Sequence, residues 1–283
     1  MIKTIGILGA GTMGSGIAQV AAVAGFDVVL YDVSPDVLKS AMERIKGEFR
    51  SGVEKARITA TAATEALAAI HPRKNFSDMG NADFIIEAAV EDLVVKKEIF
   101  KKLDVIVGQD VVLATNTSSL SITAIGSLTK TPESVVGMHF FNPAPVMKLV
   151  EVVRGKQTSD ESVKTTCDVA VRMQKTPVVC KDTPGFIVNR VARPFYGEAL
   201  RLLGEGVATV EEIDTIVKLG GGFRMGPFEL MDLIGIDVNY AVTKSVYEQF
   251  FHEPRFRPHP IQRQMVEAGT LGRKTKKGFY TYK

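Results

Sequence analysis

Residues 9–14 read Gly9-Ala10-Gly11-Thr12-Met13-Gly14, a G-x-G-x-x-G pattern close to the start of the chain. An apolar segment predicted to be a strand, Thr4–Leu8, leads directly into it. Apolar residues at helical spacing follow it, namely Met13, Ile17, Ala21 and Ala24. Glycines between a strand and a helix predict a tight turn in which the two backbones approach closely. The pattern therefore predicts the first strand–turn–helix unit of a twisted parallel sheet.

An acidic residue, Asp32, stands at the end of the second predicted strand, Asp27–Tyr31. Together with the glycine turn it forms the dinucleotide-binding fingerprint, in which the helix N-terminus faces a pyrophosphate and the carboxylate accepts hydrogen bonds from ribose hydroxyls. Because a carboxylate repels a 2′-phosphate, the pattern favours NAD over NADP. We therefore expect Asp32 and all six residues of the turn to bind NAD. The alternatives are a turn that binds no ligand and a turn that binds FAD or NADP.

Short apolar segments continue to alternate with helical patterns as far as residue 183. Five more strands are predicted, over residues 83–87, 111–115, 135–139, 148–153 and 177–180. This alternation predicts an α/β fold with a Rossmann-type, doubly wound, mainly parallel sheet. Beyond Thr183-Pro184-Gly185 the patterns are almost all helical. We assign residues 1–184 to a dinucleotide-binding domain and residues 185–283 to an all-α substrate and dimerisation domain.

Local signals mark several helix starts. Ser34 followed by Pro35 is typical of a helix N-cap and first turn. Two T-x-x-E capping boxes are predicted, one at Thr158 and the other at Thr209.

The composition excludes several classes of protein. The formal charge of +3 lacks the basic excess expected of a nucleic-acid-binding protein, and no apolar stretch is long enough to span a bilayer. Cys167 and Cys180 show no metal-ligand or redox spacing, and they favour a reducing compartment. Met1 runs straight into the first predicted strand, without a recognisable targeting segment. We expect a cytoplasmic protein with no metal, nucleic-acid or membrane partner.

Polar residues near predicted strand ends indicate catalysis. Glu151 lies inside the apolar segment 149–153, where a carboxylate is costly unless it is paired. His139 ends the preceding predicted strand and would satisfy it. Such a pair gives a histidine general base oriented by an acid. A polar run, Thr115-Asn116-Thr117-Ser118-Ser119, ends another strand at the same edge of the sheet. The alternatives are a structural histidine and a serine-rich turn.

At these residues the sequence resembles the L-3-hydroxyacyl-CoA dehydrogenase family, of the bacterial 3-hydroxybutyryl-CoA dehydrogenase type. The resemblance covers the chain from Gly9 to Tyr280. Its matching stretches are GAGTMGSGIAQ, EAAVE, NTSSLSIT, GMHFFNPAPVMKLVEVV, PGFIVNR, GPFELMDLIG and LGRKTKKGFY. It implies an oxidoreductase that transfers a hydride between NAD and C3 of a short-chain L-3-hydroxyacyl-CoA or 3-ketoacyl-CoA, and a homodimer.

The resemblance also implies roles for individual residues. His139 corresponds to the family's base, Glu151 to its orienting acid, Ser118 to its catalytic serine and Asn189 to a substrate-contacting asparagine. The implied residues on the nicotinamide side are Glu91, Lys96, Asn116, Ser118, Asn142 and Lys274. Some of these residues also have an alternative without a ligand. Glu91 and Lys96 could form a solvated pair, Asn189 could be a helix-surface residue, and Lys274 could be a loop charge.

The implied contacts with the CoA nucleotide depart from the family. Lys55 matches one lysine of the family's basic run, but Ser51 stands where another lysine is expected. Arg50 or Arg57 could compensate.

Two other functions stay open at this point: an enzyme for a different hydroxy acid or sugar acid, and a non-catalytic NAD-binding protein.

Overall fold

Eight strands form one sheet in a computed structural model that describes all 283 residues. They are β1 (Thr4–Leu8), β2 (Asp27–Tyr31), β3 (Ile70–Arg73), β4 (Phe84–Glu87), β5 (Val112–Thr115), β6 (Val135–Phe140), β7 (Leu149–Arg154) and β8 (Thr176–Lys181). Their order is β3-β2-β1-β4-β5-β6-β7-β8. All neighbours run parallel except β6 and β7. Strand order reverses between β1 and β4, which is the switch point of a doubly wound sheet; the predicted fold class is confirmed.

Six helices accompany this sheet. They are α1 (Thr12–Val23), α2 (Pro35–Glu54), α3 (Ala60–Ala68), α4 (Leu93–Ile106), α5 (Ile122–Gly126) and α6 (Asp160–Arg172). The Ser34 hydroxyl accepts the N–H of Val37 and caps α2, as predicted. This helix buries a stripe at helical spacing, Leu38, Ala41, Ile45 and Phe49. Full burial of an isoleucine such as Ile45 contributes about 1.5–3 kcal/mol, so the stripe anchors α2.

Strand β3 is missing from the strands predicted above, so that prediction is incomplete. Its segment Ile70–Arg73 contains Pro72, which lacks a backbone N–H. The strand tolerates the proline because it is at the edge of the sheet and pairs with β2 alone.

The capping box predicted at Thr158 is also wrong. Ser159 caps α6 instead, since its hydroxyl accepts the N–H of Ser162 at 3.1 Å. The Thr158 hydroxyl donates to the carbonyl oxygen of Val135 at 2.6 Å. The Thr158 hydroxyl therefore bonds to the buried backbone of β6 and does not cap α6.

The chain divides into two compact units, Met1–Thr183 and Pro184–Lys283. The second unit is helical, with α7 (Val188–Gly204), α8 (Val210–Gly221), α9 (Pro227–Ile234), α10 (Ile236–Gln249) and α11 (Pro260–Glu267). Short 3-10 helices occur over Phe76–Asn81, Pro132–Ser134, Pro254–Phe256 and Arg273–Thr275. The capping box of Thr209 with Glu212 is present, and Gly222 ends α8 in the left-handed conformation. None of the helices has the length and apolar character needed to cross a membrane.

Two buried carboxylates hold the last residues of the chain against this helical unit. Asp232 accepts the backbone N–H groups of Phe279 and Tyr280 at 3.0 and 2.9 Å, and the hydroxyl of Tyr282 at 2.9 Å. Asp214 accepts the hydroxyl of Tyr280 at 2.9 Å. The C-terminal segment that carries Lys274 is thus a packed part of the second unit.

Candidate active site

The glycine turn lies at the switch point, between β1 and the N-terminus of α1. Gly9 has a φ of +99°, and a Cβ there would lie 2.6 Å from the carbonyl oxygen of Ala88. A Cβ on Gly14 would collide with the carbonyl oxygen of Gly9. At Gly11 a Cβ would meet nothing within 4 Å, so the backbone at the start of α1 faces open space. This arrangement fits a pyrophosphate at a helix N-terminus.

Asp32 and Arg44 hold the turn from two sides. The Asp32 carboxylate accepts the N–H of Ala10 at 2.8 Å and that of Ser34 at 2.9 Å. Arg44, on α2, donates from Nη2 to the carbonyl oxygens of Ala10 at 3.0 Å and Gly11 at 3.2 Å. Since each carboxylate oxygen has a second lone pair, Asp32 can still accept hydrogen bonds from ribose hydroxyls. Arg44 lies outside the glycine pattern and was not predicted to be a site residue.

His139 and Glu151 are direct neighbours in the antiparallel pairing of β6 with β7. The distance from His139 Nδ1 to Glu151 Oε2 is 2.8 Å, and the side chains are 8% and 1% exposed. A carboxylate only accepts, so the shared hydrogen belongs to Nδ1, which makes Nε2 the basic nitrogen of the neutral ring. The pair has the geometry of a base with its orienting acid.

The polar run after β5 is organised by Glu91. Its Oε1 atom accepts the hydroxyl of Thr117 at 2.6 Å, the N–H of Ser118 at 2.9 Å and the hydroxyl of Ser118 at 3.2 Å. Asn116 Oδ1 accepts the N–H of Phe140 at 2.8 Å and so ties this run to the end of β6. Ser118 and His139 therefore belong to two adjoining strand ends.

Lys96 does not form a solvated pair with Glu91, because its side chain is completely buried. Its ammonium bonds to Glu87 Oε1 at 2.7 Å and Oε2 at 2.9 Å. Glu87 is equally buried and also accepts the Thr115 hydroxyl at 2.6 Å. Glu87 was not predicted to be a site residue; the available signal was a carboxylate at the end of an apolar strand, which is similar to the signal at Glu151 inside one.

Asn142 lies in the loop between β6 and β7 and precedes a cis proline. Lys175 holds this loop, since its ammonium donates to the carbonyl oxygens of Ala144 at 2.6 Å and Met147 at 2.9 Å. Burial, with Lys148 nearby, lowers the pKa of Lys175. The lysine therefore braces the loop after His139.

Lys55, at the C-terminus of α2, lines a cavity of about 300 Å³. Ser51, Arg57 and Lys148 line the same cavity, beside apolar side chains that include Phe49 and Met173. The combination of basic and apolar groups suits a phosphorylated nucleotide.

Two predicted site residues belong to the second unit. Asn189 is in the first turn of α7, where the buried Arg193 donates to its carbonyl oxygen at 3.2 Å. Burial lowers the pKa of Arg193 to about 10. Lys274 is not an isolated loop charge, because it pairs with both oxygens of Asp237 at 2.6 Å.

The doubly wound sheet, with its glycine turn and strand-end histidine, places the protein among the Rossmann-type dehydrogenases. Family models match almost the whole chain: the NAD-binding domain of 3-hydroxyacyl-CoA dehydrogenase over residues 4–183 and the C-terminal domain of the same enzyme over residues 185–282. The chain belongs to the 3-hydroxyacyl-CoA dehydrogenase family. Its first unit is the NAD-binding domain, and NAD is its cofactor.

The relatives agree with this assignment. The chain is 48% identical to 3-hydroxyadipyl-CoA dehydrogenase of Escherichia coli K12, over 100% of its own length but only 59% of that protein. It is 44% identical to 3-hydroxybutyryl-CoA dehydrogenase of Bradyrhizobium diazoefficiens, over 100% of this chain and 96% of that one. The structure of (S)-3-hydroxybutyryl-CoA dehydrogenase from Ralstonia eutropha superimposes with a TM-score of 0.95 at 43% identity, and each chain is covered completely.

Proposed function

We propose that the protein is an NAD-dependent 3-hydroxyacyl-CoA dehydrogenase that interconverts 3-hydroxybutyryl-CoA and acetoacetyl-CoA. The observation that carries the proposal is the buried His139–Glu151 pair, whose Nδ1 and Oε2 atoms are 2.8 Å apart. The pair lies at the same edge of the sheet as residues 117–120, which we call the Ser118 segment. The names of relatives that match this chain over its full length support the short-chain thioester as substrate.

In the proposed reaction His139 Nε2 removes the proton from the C3 hydroxyl of the substrate. NAD, when bound, supplies the hydride acceptor. Glu151 stabilises the imidazolium that forms, and Ser118 holds the substrate oxygen in line with the base. In the reverse direction the imidazolium returns the proton. Asn189 is a further proposed substrate contact, which rests on family resemblance.

The proposed cofactor site has two parts. The residues 9–14 turn and Asp32 would bind the pyrophosphate and the adenosine ribose. On the nicotinamide side we propose Glu91, Lys96, Asn116, Ser118, Asn142 and Lys274. The hydrogen bonds that link Glu91 with Ser118, and Asn116 with Phe140, support this part of the proposal because they bring Glu91, Asn116 and Ser118 to one edge of the sheet.

The test is NADH oxidation with acetoacetyl-CoA, run beside free acetoacetate and beside NADPH. We expect turnover with the thioester and NADH, little with free acetoacetate and little with NADPH. Turnover of free acetoacetate at a similar rate would instead indicate a hydroxy-acid enzyme. Absence of turnover with every 3-ketoacyl thioester, despite demonstrated NADH binding, would indicate a non-catalytic NAD-binding protein.

A second substrate is favoured by one relative. The Escherichia coli protein named 3-hydroxyadipyl-CoA dehydrogenase is 48% identical to this chain. The same assay with 3-ketoadipyl-CoA compares kcat/KM for a dicarboxylic acyl group with that for acetoacetyl-CoA. A higher value for the longer acyl group would move the physiological substrate to that class.

Replacing Asp32 with alanine should weaken NADH binding by about 10-fold, because the ribose hydroxyls lose a charged acceptor. Discrimination against NADPH should decrease at the same time, since the charge that repels a 2′-phosphate is gone. Fluorescence titration with both cofactors measures the two constants. Asp36→Ala, in the exposed first turn of α2, is the control. Unchanged selectivity in Asp32→Ala would remove this residue from the ribose site.

The cavity lined by Lys55 is the proposed site for the CoA nucleotide. Lys55→Ala should raise KM for acetoacetyl-CoA by about 10-fold through loss of a charge-assisted phosphate contact. KM for acetoacetyl-pantetheine, which lacks the nucleotide, should stay the same. Lys46→Ala, an exposed lysine on the same helix, is the control. A parallel rise in KM for both thioesters would contradict a nucleotide contact.

We also propose that the protein is a cytoplasmic homodimer. The second unit exposes large apolar side chains, among them Ile216, Leu219 and Phe223, which a second copy could cover. Sedimentation velocity tests the dimer.

The proposed cytoplasmic location is supported by Cys167 and Cys180, which are both free thiols, as is typical of a reducing compartment.

A further inference from the structure

One buried ion pair joins Lys96, a proposed cofactor residue, to Glu87, a carboxylate that has no role in the proposed function. The carboxylate of Glu87, at the end of β4, and the ammonium of Lys96, on α4, are both 0% exposed. Glu87 Oε1 accepts from Lys96 and from the N–H of Ala89, at 2.7 and 2.6 Å. Its Oε2 accepts from Lys96 and from the hydroxyl of Thr115, at 2.9 and 2.6 Å. Four donor contacts therefore fix this carboxylate and the ammonium that it holds.

The ammonium also connects this pair to the Ser118 segment. Lys96 Nζ lies 3.7 Å from Glu91 Oε2, within ion-pair range. The other oxygen of Glu91, Oε1, accepts the N–H and the hydroxyl of Ser118. One carboxylate thus faces a buried cation with one oxygen and the Ser118 segment with the other. The Glu91 side chain is 38% exposed, so water screens this contact in part, but the fixed ammonium still attracts the nearer oxygen of Glu91 and so influences its orientation.

We propose that Glu87 is a positioning residue for Ser118, acting through Lys96 and Glu91. The inference rests on the proposed function, in which Ser118 contacts the substrate oxygen. Glu87 fixes the ammonium, the ammonium orients Glu91, and Glu91 holds the Ser118 backbone in place. Without Glu87 the cation is left with Glu91 as its nearest acidic partner and draws that carboxylate away from the segment.

Glu87→Gln tests the first step. Glutamine has the same shape, but it offers one oxygen where glutamate offers two. In either amide orientation its NH₂ group faces Lys96 and one more donor, either Ala89 or Thr115. We expect kcat for acetoacetyl-CoA reduction to fall by about 10- to 100-fold, as for a misplaced reacting group.

A readout without turnover is hydrogen exchange of the peptide that contains residues 117–120, in protein without cofactor. Glu87→Gln should raise its exchange rate by about 10-fold, because Glu91 no longer holds the Ser118 N–H. Asp104→Asn is the matched control. Asp104 is also on α4, but its carboxylate accepts the N–H of Lys130 at 2.9 Å and has no contact with the Ser118 segment. Its variant should leave kcat and exchange of the peptide within about two-fold of the original.

The double variant Glu87→Gln/Lys96→Met separates positioning from stability. Removing both charges leaves no unpaired buried ion, so the Tm should rise above that of Glu87→Gln. Exchange of residues 117–120 should remain fast, because the cation that orients Glu91 is absent. Exchange that returns to the original rate together with the Tm would overturn the proposal, as would a Glu87→Gln variant with unchanged kcat and exchange. An original protein inactive towards acetoacetyl-CoA would refute the proposed function instead, and the exchange measurements would still test the positioning.

Discussion

Replacing His139 with glutamine is expected to lower kcat for acetoacetyl-CoA reduction by about 10²–10⁴-fold, the contribution of a positioned acid or base. Glutamine fits the nearly buried position and can donate an amide N–H to Glu151, so the fold should be kept. It cannot exchange a proton with the substrate at neutral pH. NADH affinity should change little, because the glycine turn and Asp32 lie on other elements. Steady-state kinetics and NADH titration measure the two effects.

The control for this variant is His71→Gln. His71 is in the edge strand β3, with a side chain that is 40% exposed and 3.8 Å from Asp27. Its substitution should change kcat by no more than about two-fold. A His139→Gln variant with near-normal kcat would refute the proposed role of His139, whatever the control does.

Replacing Glu151 with glutamine is expected to lower kcat by about 10²-fold or more. The neutral amide does not stabilise an imidazolium, and its NH₂ group can face Nδ1 and favour the wrong tautomer. The Tm should not fall greatly, since a buried amide is less costly to desolvate than a buried carboxylate. Kinetics and thermal unfolding of the same preparation separate a loss of catalysis from a loss of fold.

A double variant shows whether Glu151 acts through His139. If it does, His139→Gln/Glu151→Gln should be no slower than His139→Gln alone, because residues that act as a unit are not additive. Multiplying effects would indicate that Glu151 has an independent role. Glu161→Gln, in the first turn of α6, removes an acidic side chain elsewhere in the same unit and serves as the control.

Much of the fold follows from local sequence. The glycine turn needs a positive φ at Gly9 and close packing at Gly14, and both requirements are visible in the residue types. The Thr209–Glu212 capping box is likewise local. The edge strand β3 was missed because Pro72 is unfavourable in most strands, and only its place at the sheet edge makes it acceptable.

Part of the candidate site could likewise be predicted from local sequence, and part could not. Glu151 was conspicuous because a carboxylate stood alone among apolar residues, and strand-end placement identified His139 as its partner. Sequence spacing could not predict whether Glu87 or Glu91 pairs with Lys96. Both carboxylates precede the helix that carries the lysine, so either one could have been its partner.

The sequence by itself determined the doubly wound sheet, the NAD-binding turn and the family, because each depends on residue types at short, fixed spacing. Only the tertiary structure decided which acid neutralises Lys96 and which carboxylate holds Ser118. Those pairings join the ends of β4 and β5 with the start of α4. They depend on how neighbouring strands align and on burial that removes water, and neither is encoded in any single local pattern.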